Sequence, residues 1–249
     1  MKLTGITSLL LLIVSFFIST EKTAAQLSSD DSVFYQKAIN NAIAVYHQSI
    51  GDQSGLYNGI QYIGYPFTFK EGHPFFYTPE LSAGSVTYDG VYYANVLLRY
   101  DEIAEVVIIQ DSIHRLQLHS SRISRFTVAN NTFIRIVKDS LGANLEKTGF
   151  YNLLYEGNTS VLKKEIKRIR EEVQNTTDGV QRFIDEKKYY YIKKPNGYFT
   201  VNRKKDVFKI LKDHKKEIQQ YIKANDLSFK HDKDNLLIKV SAYYDQLTK

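Results

Sequence analysis

The sequence predicts an α+β fold: an N-terminal helix, a curved antiparallel β-meander and a C-terminal helical cap. Three observations carry this expectation. Apolar residues recur at helical spacing from Val33 to Ile50, the period changes to two from Gly84, and helical spacing returns from Asp206 onward.

In the first segment Val33, Phe34, Ala38, Ile39, Ala42, Ile43, Val45 and Tyr46 make one apolar stripe, which Gly51, Gly55 and Gly59 then interrupt. Leu56–Leu81 holds three of the four prolines among many aromatics and reads as an ordered loop. Asp89-Gly90 is a hairpin signal, because both turn positions tolerate positive φ. After it, Val96, Leu98 and Tyr100 share one strand face while Asn95 and Arg99 take the other. Further short strands are expected at Glu105–Gln110, Ile113–His119, Arg122–Val128, Thr132–Val137 and Gly149–Tyr155. Their tight links require antiparallel pairing, since parallel neighbours need crossover helices. Val161–Val173 is ambiguous: Leu162, Ile166, Ile169 and Val173 fit a helix, yet the flanking turn at Asn175–Gly179 and the run Tyr189-Tyr190-Tyr191 suit a long hairpin, and the strand is favoured. Asn196-Gly197 marks a second two-residue turn. Asp206–Leu211, His214–Ala224 and Asp232–Leu247 are the expected C-terminal helices.

Lys2 followed by the apolar run Leu9–Ile18 has the form of a secretory signal peptide, with Thr23 and Ala25 placing the expected cleavage after Ala25. A bilayer span needs roughly 20 apolar residues, and no later segment approaches that length. The expected organisation is therefore a signal peptide over 1–25, a helix-plus-sheet domain over 26–202, and a lysine-rich tail over 203–249 packed on the same domain. With no cysteine in the chain, disulfides, zinc–thiolate sites and a cysteine nucleophile are excluded. An exported chain without disulfides points to a bacterial envelope. The sequons at Asn130, Asn158 and Asn175 matter only in a eukaryotic secretory route. The 19 Tyr and 14 Phe fit recognition surfaces or AT-rich coding, the second being favoured.

The run Gly84-Ser-Val-Thr-Tyr-Asp-Gly-Val-Tyr-Tyr-Ala-Asn-Val-Leu-Leu-Arg-Tyr-Asp101 resembles a motif of uncharacterised exported proteins of Bacteroidota. Gly149-Phe150-Tyr151 through Tyr155-Glu156-Gly157 is similar to a second signature of that family, and Lys204-Lys205-Asp206 with Lys212–Phe229 resembles its lysine-rich end. The resemblance implies a Gram-negative envelope location, periplasm or cell surface, and supports the strand reading of Val161–Val173. It implies no activity and transfers no catalytic residue.

The six histidines, at 47, 73, 114, 119, 214 and 231, form no H-E-x-x-H or H-x-H pair, and a structural or solvated role is expected for each. Neither a Gly-x-Ser-x-Gly nucleophile turn nor a glycine-rich phosphate loop occurs, so no cofactor is expected. Asp89, Asp101 and Glu102 near hairpin ends are the remaining candidates for paired-carboxylate hydrolysis, although Asp89 is accounted for by its turn. The sharpest asymmetry is charge: residues 203–239 hold eleven Lys or Arg against six acidic residues, net +5. Lys204, Lys205, Lys215 and Lys216 are the candidate contacts for an anionic envelope surface. Export disfavours nucleic acid as a partner. The expected function is a non-enzymatic envelope binding or structural module, with an apolar small molecule in the sheet's concavity as another partner class. An envelope hydrolase is the alternative.

Overall fold

The computed structural model describes residues 34–35, 37–39, 41–42, 45, 55–110, 113–138, 145, 147–173 and 179–248. The chain divides into two compact units, Met1–Ala42 and Ile43–Lys249. The expected signal peptide and its cleavage point lie outside the described residues, as does His47. The described residues between 34 and 45 are helical and exposed, Phe34 and Val45 at 70% and 63%.

Eleven strands form one antiparallel sheet: β1 (Ile60–Gln61), β2 (Ser82–Tyr88), β3 (Val91–Asp101), β4 (Val106–Gln110), β5 (Arg115–Gln117), β6 (Ile123–Val128), β7 (Asn131–Ile136), β8 (Gly149–Tyr155), β9 (Ser160–Val173), β10 (Val180–Lys194) and β11 (Gly197–Thr200). Among the described residues, three short helices follow the sheet, α1 (Lys204–Ile210), α2 (Lys215–Ala224) and α3 (Lys233–Leu247). The α+β expectation is thereby corrected: the described chain is mostly one large sheet, and helix is a small C-terminal part of it. The physical reason lies in chain length: residues 160–173 and 180–194 form two long strands of 14 and 15 residues. Val161–Val173 is strand.

The strand order is β1-β5-β4-β3-β2-β6-β7-β8-β9-β10-β11, which departs from a simple meander at two joints, β1 beside β5 and β2 beside β6. After β5 the chain returns through a 3₁₀ turn at Ser120–Arg122 and lays β6 beside β2. Asp89 and Gly90 turn the β2–β3 hairpin with φ of 49° and 79°, and Arg122 clamps that turn by pairing with Asp89.

The sheet curls tightly. Tyr100 on β3 and Phe150 on β8 are four strands apart, which a flat sheet would separate by about 19 Å, yet their ring centroids are 5.7 Å apart. Phe126 and Phe133 stack at 4.8 Å between them, so the concave side is filled by the protein's own aromatic rings. The loop between β1 and β2 lies across the open side: Phe76 N–H bonds Tyr100 O, and Lys70 N–H bonds Arg182 O on β10. At the other end, α1–α3 cover Val161, Tyr190 and Ile192, burying a second core that includes Val207, Ile218, Leu236 and Val240. No helix among the described residues is long and apolar enough to cross a membrane.

Candidate functional site

The three candidate carboxylates separate into different environments. Asp89 is half-exposed and committed to Arg122. Asp101 ends β3 fully buried; its carboxylate accepts from the backbone N–H groups of Ile103 and Ala104 and from the hydroxyls of Tyr62 and Tyr65. Four donors saturate that carboxylate as the pin of a turn and leave it nothing for a substrate. Asp101 also raises the pKa of both tyrosines, after burial itself.

Glu102 is different. It is 1% exposed, and its Oε2 lies 3.1 Å from Lys167 Nζ of β9, an ion pair without hydrogen-bond geometry on either carboxylate oxygen. Burial, reinforced by the charge of Glu165, pushes its carboxyl up to about 7, with Lys167 pulling the other way. Lys167 is held in place by the carbonyls of Phe75 at 2.6 Å and His73 at 3.3 Å. Three residues after Glu102, Glu105 closes the same turn onto the other face of β9, where it pairs with buried Lys164 and, at 3.0 Å, with Lys147. Lys164 also donates to Phe150 O at 2.9 Å, and burial lowers its pKa against the pull of Glu105. The result is a charged seam that fastens the β3–β4 turn to both faces of β9.

Glu165, pushed up by burial, continues the seam toward Lys188 and Glu186 on β10. The register places Glu165 opposite Lys188 and Lys167 opposite Glu186, so charges alternate down one face of the hairpin. Burial thus raises the pKa of two carboxyls, Glu102 and Glu165, but Glu102 is closed to solvent.

Lys204 and Lys205 stand on the first turn of α1, Lys215 and Lys216 on the first turn of α2. All four side chains are exposed, and no ion pair among the described residues engages them. Their position follows from which face each helix buries: Val207 in the first, with Leu211 just beyond it, and Ile218 and Ile222 in the second. An acid at the third position of each helix, Asp206 and Glu217, supplies the charge that the helix start favours. The lysine pairs are thus free for other partners.

Sequence reasoning missed the residues that join the helices to the sheet. Asp245 of α3, 5% exposed, accepts from Thr159 N–H, Thr159 Oγ1 and Tyr155 OH, and so fixes the β8–β9 turn. Asp234 at the start of α3 takes Lys163 at 2.7 Å and Tyr190 OH at 2.6 Å. The available signal was a lysine at Lys163, Lys164 and Lys167 inside strands otherwise patterned for burial, since a buried lysine demands an acid.

His73 stacks on Phe75 and His214 packs edge-on to Tyr244, and no group of three metal-ligating residues occurs among the described residues. Comparison with protein-family models, with curated proteins and with solved structures finds no match to this chain.

Proposed function

We propose that the mature chain is a non-enzymatic binding module of a Gram-negative envelope, exported by its N-terminal signal, that docks its helical layer on an anionic membrane surface. The observation that carries this reading is the free exposure of Lys204, Lys205, Lys215 and Lys216 on a tail of net charge +5. Each lysine near an anionic bilayer contributes about 1 kcal/mol, so four of them support peripheral attachment that salt would screen. The concave face offers an apolar ligand no comparable space, because Tyr100, Phe126, Phe133 and Phe150 occupy it.

Cosedimentation with vesicles tests the reading. The protein should partition onto vesicles containing phosphatidylglycerol and be released as salt rises from about 50 to 500 mM. Changing Lys204, Lys205, Lys215 and Lys216 together to Gln should weaken that binding at least about tenfold. Equal partition onto neutral vesicles, binding only to a soluble anionic polysaccharide, or an unaffected quadruple variant would sink the lipid reading. Mass spectrometry of the exported chain should find Gln26 at its N-terminus.

Hydrolysis by paired carboxylates is the second reading, favoured by the raised pKa values of Glu102 and Glu165. It requires a glycosidase panel to show turnover that Glu102→Gln abolishes.

A further inference from the structure

A hollow of about 570 Å³ lies between the β10–β11 hairpin and α1. Its lining combines three kinds of group that one ligand class needs together. Lys194, Lys209 and Lys212 supply positive charge, and Lys209 and Lys212 are exposed. Asp206 and Asp213 supply carboxylate acceptors, and Asn196 an amide that both donates and accepts. Phe199 contributes a half-exposed ring.

From this lining we infer that the hollow is a binding site for a sugar unit carrying one anionic substituent, the phosphate of a sugar phosphate being the best fit. Lysine ammoniums act as point charges toward phosphate, and three of them against two carboxylates leave the lining net positive. The carboxylates have other duties that do not exhaust them. Asp206 accepts from the N–H groups of Asn202 and Arg203 through one oxygen, Oδ2, and Asp213 accepts from Tyr244 OH. Their remaining lone pairs face a polar hollow in which sugar hydroxyls are the natural donors. Phe199 gives the apolar face of a pyranose ring a surface to rest on. A bare phosphate would leave the carboxylates and the ring unused. A neutral sugar would leave the lysines unused.

Lys194 anchors the site to the fold. Its Nζ donates to Tyr244 OH at 2.7 Å and lies 3.9 Å from Asp213, so the hairpin, the turn after α1 and α3 meet at one side chain. The site rests on the proposed envelope reading only for where such a sugar would be met. None of the four lysines assigned to the membrane surface lines it.

Titration of the folded protein with glucose 6-phosphate, glucose and inorganic phosphate, followed by amide chemical shifts, tests the inference. Glucose 6-phosphate should move the resonances of Asn196, Phe199 and Lys209 with a Kd of about 1 mM. Glucose and inorganic phosphate should each bind at least about tenfold more weakly, each having lost one half of the match. Phe199→Leu, which changes no charge, should reduce glucose 6-phosphate binding and leave vesicle binding intact. The double change Lys209→Gln with Lys212→Gln should abolish the sugar phosphate response. The quadruple lysine variant should do the opposite, losing vesicles and keeping glucose 6-phosphate, so failure of either reading is separable from failure of the other. Inorganic phosphate binding as tightly as glucose 6-phosphate, or an unaffected Phe199→Leu variant, would overturn the sugar assignment. An absence of shifts at these residues would overturn the site.

Discussion

Glu102 combines 1% exposure with a carboxyl raised to about 7 from an ordinary 4.5, so the folded protein holds this proton more tightly than the unfolded chain does. Between those two values the unfolded state binds fewer protons, and stability must fall as pH rises. The contribution is complete below 4.5 and gone above 7. The difference amounts to about 3 kcal/mol, with the opposing pull of Lys167 already counted in it. Urea unfolding at pH 5 and pH 8 should therefore show the wild type losing stability across that window, and Glu102→Gln losing about 3 kcal/mol less. Glu165, raised by its own burial, adds a decline of the same sign that the variant retains. If both proteins show the same pH dependence, Glu102 is not the group that titrates. Asp245 makes the opposite case, a carboxylate whose partners are all neutral donors. Asp245→Ala strands the Thr159 N–H and both hydroxyls next to α3, and should cost about 2–4 kcal/mol by denaturant melts with the fold retained. A loss under about 0.5 kcal/mol would mean that water replaces it.

At the scale of elements, the joint between β2 and β6 is one of the two where the sheet departs from a meander, and Gly84 sits beside it. A Cβ built at Gly84 would fall 2.0 Å from Thr127 O, a backbone atom that cannot swing aside, and the β2–β3 register shifts at the next residue. Gly84→Ala must therefore push β2 away from β6, and a loss of about 2 kcal/mol or more is expected on thermal melting. Ser85, whose N–H and hydroxyl both reach Thr127 Oγ1 at 2.9 Å, should lose those bonds in the same variant. An unchanged melt would show that the strands separate freely here. The turns were legible because their chemistry is local: Asp89-Gly90 and Asn196-Gly197 needed no knowledge of distant residues. The long β9–β10 hairpin was favoured over a helix from its flanking turn and tyrosine run, but the charge partners of its lysines and glutamates were not legible, because they come from elsewhere. Glu102 and Glu105 meet Lys167 and Lys164 only after the sheet has curled. Lys204, Lys205, Lys215 and Lys216 were legible as a charge run. The hollow beside Phe199 was not, since it exists only once α1 folds back against the β10–β11 hairpin.

For the whole molecule the question is whether the helical tail is an appendage on a finished sheet or half of a shared core. Net charge alone, +5 over the tail, would suit the first picture, although the sequence already led to a tail packed on the same domain. Burial favours the second. Nine side chains of the tail, from Val207 to Tyr244, pack with Val161, Tyr190, Ile192 and Val201 in one buried cluster. Uncovering those four sheet-side residues would forfeit about 6–12 kcal/mol at 1.5–3 kcal/mol per side chain, comparable with the 5–15 kcal/mol that stabilises an ordinary domain. Polar losses add to this, because Lys163 and Tyr190 would lose Asp234, and Thr159 would lose Asp245. A chain of residues 26–202 should therefore fail to melt cooperatively and should bind a hydrophobic dye in its apparent native state. Supplying residues 203–249 as a separate peptide should restore part of the cooperativity, because the sheet presents a preformed apolar face to a tail whose buried positions repeat at helical spacing. A soluble 26–202 chain with a sharp transition of its own would make the tail an appendage, and the lysines would then ride on a detachable arm instead of a face of the fold.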